Sequence, residues 1–571
     1  MPDLIADAEL QHLAVQQAAF ERGELEPDLF KRLRLQYGIY SMRRAPGTFM
    51  LRVRVPLGVV TPAQLEALAT VCASFTPSGT CHLTTRQDVQ LYGITPTSLV
   101  PLLRTLEHSG LTSREASGNV VRNVTCCPLA GIAPDEPFDV TPAARVVSDY
   151  LLRNPLTQLL PRKVKIAVEG CPTDHARTSI HDVGLAASVL DGQPGFRVYV
   201  GGGLGASPRA AQRLEPWTGL PMLLPTLDAI MRVFDRFGER RVRAKSRLKF
   251  LVDQLGWSAF QRCVLEERRA VWATQPGQML AAWAVDAPAE TPPVGGAEPK
   301  AGFTGEGLAR WCSTNVQEQK QTGFVAVTIR VPMGDLRADQ LKAVAALARR
   351  AAGGVRVTNG QNLLLRFVPQ GALAGVYEHL AAAGLAEPGA GRLVDVTRCP
   401  GADSCLAAIT RPRGLAEAIE RLCHDGLAAS ADAPLSIKVS GCPNSCGHHH
   451  IADLGFFGAA AKVGDRYVPC YQMLLGGRTA EGEARFGRRL LKMPAQRAPE
   501  AVRQVVGWYE SAKQPGETFA ATLERLGPGA LERRLIPLAE IAAGAPDPTL
   551  FCDLGSETPF QLAAGQGECA A

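Results

Sequence analysis

The sequence has no apolar run long enough to cross a bilayer. Its opening residues, MPDLIADAEL, lack the basic and apolar blocks of a signal peptide. It also has little charge of one sign: 61 basic against 55 acidic residues give a net +6, too little for a nucleic-acid-binding arm. No full G-x-G-x-x-G motif is present. The nearest stretch, GGGLG at Gly201 to Gly205, falls short of it, and nothing else has the look of a flavin or nicotinamide domain. These absences predict a cytoplasmic protein with neither a membrane nor a nucleic-acid partner. A composition of 46% apolar and 20% charged residues suits a globular enzyme, and 571 residues are too many for one core. Cysteine, by contrast, is plentiful. In a reducing compartment the 15 Cys are not expected to pair; most should be buried thiols and a minority ligands.

The chain repeats itself. MLRVRVPLGVVTPAQLEALATV around Arg54 matches AVTIRVPMGDLRADQLKAVAAL around Arg330, each reading as strand, turn and helix. HLTTRQDVQLYGI from His82 matches RVTNGQNLLLRFV from Arg356, and each copy closes on a helix ending in Gly-Leu. Further on, NVTCCPLAG matches DVTRCPGAD, IAVEGCPTDHARTSIHDVGL matches IKVSGCPNSCGHHHIADLGF, and GGGLG matches the LLGGR ending at Arg478. A Pro-, Gly- and Ala-rich stretch, DAPAETPPVGGAEPK (Asp286 to Lys300), separates the copies. The pattern is that of a duplicated α+β unit.

Thiols concentrate in the second copy. Cys399, Cys405, Cys442 and Cys446 occupy positions that hold Cys127, Ala133, Cys171 and His175 in the first. Four thiolates suit a [4Fe–4S] cluster. Zinc held by Cys442, Cys446 and the following imidazoles is the competing reading, but C-x5-C (Cys399 to Cys405) is wider than the usual zinc pair. On this reading the first copy is a decayed twin, and His448, His449 and His450 are bystanders on a loop.

CPGADSC and SGCPNSCGHHH, with LRVRVP, HLTTRQDVQ, VVRNV, LPRKVKIAV and VGGGLG in order, resemble the sulfite and nitrite reductases that couple sirohaem to a [4Fe–4S] cluster. The resemblance runs from about residue 30 to about residue 520. It implies an α+β fold of two pseudo-repeated halves, each a ferredoxin-like half-unit followed by a larger α/β domain for the cofactors. The implied divisions are a helical segment 1–43, half-unit 44–115, first sirohaem domain 116–285, linker 286–318, half-unit 319–387, second cofactor domain 388–525 and tail 526–571. It further implies that Cys399, Cys405, Cys442 and Cys446 hold the cluster and that Cys446 is also axial to the sirohaem iron. Thr84, Arg86, Gln87, Gly201, Gly202, Gly203 and Arg478 are implied as cofactor contacts. Arg52, Arg122, Lys163 and Lys165 are implied to bind and protonate the oxyanion. At His82 the family often has Arg.

Lys163 and Lys165 are two apart, so on a strand they share a face. Family members that reduce sulfite tend to keep such a pair, which favours six-electron reduction of sulfite over reduction of nitrite to ammonia. A cobalamin-pathway oxygenase on the same scaffold and a zinc-stapled binding protein are the other readings. With no redox domain of its own for taking up electrons, the enzyme needs ferredoxin or a similar small donor, and it is expected to work as a monomer. The basic run RFGERRVRAKSRLKF (Arg236 to Phe250) suits a solvated helix face or the docking of an acidic donor. Cys569 sits in a tail expected to be mobile.

Overall fold

The computed structural model describes residues 6–282, 290, 305–351, 353–541, 547–563, 565, 567 and 568. Cys569 and most of the linker stretch 286–300 lie outside the described residues.

Two five-stranded antiparallel sheets form the centre. The first runs in the order Ile39–Ser41, Phe49–Val53, Val89–Ile94, Thr80–Leu83 and Asp335–Arg337. The second runs Val316–Glu318, Phe324–Ile329, Leu363–Pro369, Gly354–Val357 and Val59–Val60. The last strand of each sheet comes from the other half of the chain. Val59 pairs with Arg356, and Asp335 pairs with His82. The exchange follows from a sharp turn that both copies spell alike. In VPLG and VPMG, Leu57 (φ 61°) and Met333 (φ 59°) are left-handed, and each sends the following strand across to its twin. The half-units consequently share one apolar core, in which Leu51, Leu65, Leu91 and Leu103 of the first copy join Ile329, Leu341, Leu365 and Leu380 of the second. The N-terminal helices Asp7–Glu21 and Pro27–Gln36 pack Leu10, Leu13 and Phe30 into the same core.

Each larger domain has its own core and the same sheet pattern. In the first, Thr125–Cys126, Ile166–Glu169 and Val183–Leu190 are parallel, and Gln193–Val200 returns antiparallel. In the second, Thr397–Arg398, Ile437–Ser440 and Leu454–Val463 are parallel, and Arg466–Leu475 returns antiparallel. Both parallel edges are buried, as parallel strands require.

Three sequence expectations change. Residues 305–318, read as linker, contain the helix Glu306–Asn315 with Trp311 fully buried, followed by an edge strand. The tail carries the helix Gly529–Ala539, anchored by Leu531 and Leu535, and Glu568 pairs with Arg34. The basic run is not one helix either: the helix Leu220–Phe237 stops at Gly238, and a new one starts at Leu248. Arg247 and Lys249 turn inward, leaving Arg240, Arg241, Arg243 and Lys245 exposed.

Candidate functional site

The four second-half Cys sit on two turns that close the parallel strands of their domain. Cys399 follows the strand Thr397–Arg398, and Cys442 and Cys446 follow Ile437–Ser440. The backbone N–H of Gly441 donates to Cys399 Sγ (3.2 Å). Burial pushes the Cys399 and Cys442 thiols up to about 12, and the charge of Cys446 adds to both shifts. Such thiols ionise only with a cation beside them. Among the described residues, no three of these Sγ atoms lie within 4.8 Å of one another. A single tetrahedral zinc would bring thiolates to about 3.8 Å, from a Zn–S bond of about 2.3 Å. The quartet is therefore too open for one such ion. Cys446 is exposed.

The first half reaches this loop directly. Thr85 Oγ1 donates to the Cys446 carbonyl (2.9 Å), and Arg177 Nη1 donates to His448 Nδ1 (2.6 Å). Arg177 and His448 are counterparts in the repeat, both left-handed (φ 60° and 63°), so the pseudo-twofold axis passes between them. Burial, with Arg177 next, holds His448 well below the usual imidazole range, which leaves it neutral and able to accept. His450 Nε2 bonds the Gly205 carbonyl (2.9 Å). His449 is not the satisfied bystander expected: both its ring nitrogens are buried without a hydrogen-bond partner, and its ring lies 4.9 Å from that of Phe457.

A buried cationic set surrounds the same place. Arg86 is held at about 10 by burial, and its Nε and Nη1 are buried with no hydrogen-bond partner. Arg177 is likewise lowered to about 10, and Lys438 to about 7, both by burial first. Lys165 is driven well down by burial and by Arg86, Arg247 and Lys163, while the Cys446 thiolate opposes the shift. Asp182 fixes this corner: it accepts the Lys165 backbone N–H (2.9 Å) and pairs with Arg247 (2.7 Å). Unpartnered guanidinium nitrogens and crowded cations are costly unless an anion joins them. The residues present therefore fit a buried, multiply charged anionic cofactor.

Lys163 and Lys165 are both half-buried, but they precede the strand Ile166–Glu169 and do not lie on it; between them Val164 makes an isolated bridge to Val121. Arg52 and Arg122 converge on Tyr40: Arg52 Nη1 reaches its hydroxyl at 3.1 Å, and Arg122 Nη1 at 3.5 Å. Arg122 is otherwise committed to the carbonyls of Ala116 and Gly118.

Several implied cofactor contacts have other work here. Both amide hydrogens of Gln87 are spent on the Cys126 and Val357 carbonyls, and its oxygen accepts the Cys126 N–H. It is a clamp between the halves, as is its counterpart Gln361, which bonds Leu83, His82 and Arg398. Thr84 Oγ1 accepts the N–H groups of Arg86 and Asp88, holding the turn that aims Arg86. In the glycine loop, the Gly201 N–H goes to the Asp182 carbonyl and the Gly203 N–H to the Arg209 carbonyl. Gly202 is glycine because a Cβ there would strike the His181 carbonyl. Arg478 is turned out on the hairpin Arg478–Ala480/Glu483–Arg485, about half exposed and 3.7 Å from Glu524, so it lies outside the buried set.

Sequence reasoning missed Lys249, Arg177 and Lys438. Lys249 is buried and donates to the carbonyls of Gly203, Leu204 and Ser207, which locks the glycine loop. Its signal was the apolar neighbourhood of SRLKFLV, which resembles that of any amphipathic helix.

Four thiols in the second half of a duplicated scaffold, beside a set of buried cations, are the donor set a redox centre needs. The chain belongs to the nitrite and sulphite reductase family. The 4Fe-4S domain of that family matches residues 117–271 and 389–536, and the ferredoxin-like half domain matches residues 42–109 and 317–383. It is 30% identical to a ferredoxin–nitrite reductase of Synechococcus elongatus, over 82% of this chain and 88% of that one. It is 31% identical to a ferredoxin sulfite reductase of Mycolicibacterium paratuberculosis, over 83% and 81%. The solved structure of the NirA protein of Mycobacterium tuberculosis superposes with a TM-score of 0.75 at 27% identity, covering 92% of this chain and 97% of that one. The chain is thus an oxidoreductase built of two ferredoxin-like half domains and two larger domains, and it uses an iron–sulfur cofactor. No described helix is long and apolar enough to cross a membrane.

Proposed function

We propose that this enzyme reduces sulfite to sulfide with six electrons from ferredoxin, at a sirohaem coupled to a [4Fe–4S] cluster. Cys399, Cys405, Cys442 and Cys446 would hold the cluster, Cys446 would also contact the sirohaem, and Arg86 and Arg177 would meet the cofactor carboxylates. When bound, these groups supply the one-electron transfers and the iron at which the anion is held. The protein's own part is charge and protons. Lys163, Lys165, Arg52 and Arg122 draw in a small oxyanion and hold its oxygens. Each oxygen leaves as water, so protons must be delivered to it in turn. Lys165 suits that task, because burial and neighbouring cations weaken its hold on its proton. Arg247 and Asp182 position it.

What supports the choice of sulfite is the pair Lys163 and Lys165 leading into the strand Ile166–Glu169, with Lys165 close enough to Cys446 to feel its charge. Sulfite is largely a dianion near neutral pH and sheds three oxygens, so a second ammonium helps it more than it helps monoanionic nitrite. The relatives include both activities at nearly equal identity. The deciding experiment is steady-state turnover with reduced ferredoxin on both anions. Higher efficiency on sulfite is expected; far higher efficiency on nitrite makes nitrite the substrate.

A further inference from the structure

The first half's copy of the cluster turn is not an empty relic. Cys127, Cys171 and His175 stand at the repeat positions of Cys399, Cys442 and Cys446, and the fold brings them together with Glu169. All four ligand atoms lie within 4.8 Å of one another. Cys127 Sγ is 3.5 Å from Cys171 Sγ and 3.6 Å from His175 Nδ1, and His175 Nδ1 is 3.9 Å from Glu169 Oε1.

These three separations are close to the edges of a tetrahedron around one small ion, the His175–Glu169 edge being the longest. Zinc bonds of about 2.3 Å to sulfur and 2.0–2.2 Å to nitrogen and oxygen predict ligand separations of about 3.8 Å for S–S, about 3.6 Å for S–N and about 3.4 Å for N–O. The second half's thiols fail this test of closeness, and the first half's set passes it.

Burial and charge point the same way. Glu169 is fully buried, both thiols are buried, and His175 is about one-third exposed. The Glu169 oxygens accept the backbone N–H groups of Cys171 (2.9 Å) and Ala176 (2.6 Å), which fixes the carboxylate against the turn. Among the described residues its ion-pair partner is His175 and no Lys or Arg. A buried carboxylate beside two buried thiols calls for a cation.

We infer that Cys127, Cys171, His175 and Glu169 bind one zinc ion, so that the duplicated turn holds a multinuclear centre in one half and a mononuclear metal in the other. Thiolate, imidazole and carboxylate together suit zinc among the divalent ions. Four protein ligands leave no open position, so the ion is structural: it ties the end of the strand Thr125–Cys126 to the end of Ile166–Glu169. Binding releases the thiol protons to solvent and involves no change of oxidation state.

The test uses the full-length enzyme with its iron–sulfur centre intact. Metal analysis should find about one zinc per chain beyond the iron. X-ray absorption at the zinc edge should show two sulfur neighbours at about 2.3 Å and two lighter ones near 2.0–2.2 Å. Cys171→Ser and, should that variant fold poorly, the milder His175→Ala should lose zinc on dialysis against a weak chelator while keeping iron and the visible spectrum. Cys263→Ser, at a half-buried thiol elsewhere, should lose neither. The assignment is overturned if reduced protein takes up no zinc when a zinc salt is added. It is also overturned if zinc survives both variants, or if thiol counting reveals a Cys127–Cys171 disulfide.

Discussion

The two halves of this protein share a backbone and differ in what they hang on it. Left-handed residues recur in register, Leu57 with Met333, Gln87 with Gln361 and Arg177 with His448. Such conformations are strained in residues other than glycine and persist only where the surroundings enforce them. Their survival in both copies shows that the turns are demanded by the join between the halves. The side chains at the turn tips have diverged: Arg86 faces Gly360, His175 faces Cys446, and Lys165 faces Ser436. Backbone conformation is kept at the join, while side chains have changed even there, as where Arg177 bonds its twin His448.

This comparison can be broken at four places. The largest effect is expected at Cys442→Ser, which should abolish the iron–sulfur centre and destabilise the second half, because metal-site energy is folding energy. Iron and acid-labile sulfide should disappear there and stay intact in Cys171→Ser; equal iron loss in both would mean that the halves are not divided as described. Next comes Lys165→Asn. Turnover on sulfite should fall roughly 100- to 1000-fold, and on nitrite much less, since one charged donor at the reacting anion is removed. Equal losses on the two anions would remove the case for sulfite.

Gln87→Ala and Gln361→Ala sharpen the comparison from the structural side. Each strands buried backbone groups of both halves, and each should cost about 2–4 kcal/mol in stability by thermal or denaturant unfolding. If the clamps are equivalent, the two losses match. The smallest effect is expected at Asp335→Asn. Burial alone would raise that carboxyl, yet Arg398, His82 and Arg413 hold it at about 2, below 3.8. Its contribution, about 2 kcal/mol, is complete above about pH 4 and is lost as the pH falls through about 2. The variant should therefore unfold at a lower temperature than the parent at pH 7, and the gap should close near pH 2. The first half has Val59 at the matching position and no such dependence.

Much of this was legible in the chain. Cys-Pro turns, the VPxG signatures and the strand alternation pointed to the duplication and to the four candidate cluster thiols, because those features are local. The exchanged strands Val59–Val60 and Asp335–Arg337 are two and three residues long, too short for any period to register. Arg478, implied as a cofactor contact, stands on the hairpin Arg478–Ala480/Glu483–Arg485, whose direction is set by packing and has no local sequence signal. Gln87 is implied as a cofactor contact by the resemblance; its bonds to the backbone of Cys126, 39 residues on, and of Val357, 270 residues on, have no local sequence signal. The neighbourhood of Cys127, Cys171 and His175 was visible as an alignment and dismissed for lacking the fourth thiol. The carboxylate that closes it, Glu169, comes from a strand position where its twin has Ser440.

The crossed strands have a consequence for the newly made chain. When Thr80–Leu83 leaves the ribosome, the strand that covers its outer edge, Asp335–Arg337, is still roughly 250 residues from synthesis. At about 5–20 residues per second, that edge stays open for about 10–50 s. An uncovered strand edge is a template for pairing with other chains. Newborn copies of this enzyme therefore pass through a window in which neighbours on one polysome can exchange these strands with each other, and a slow or stalled ribosome lengthens it.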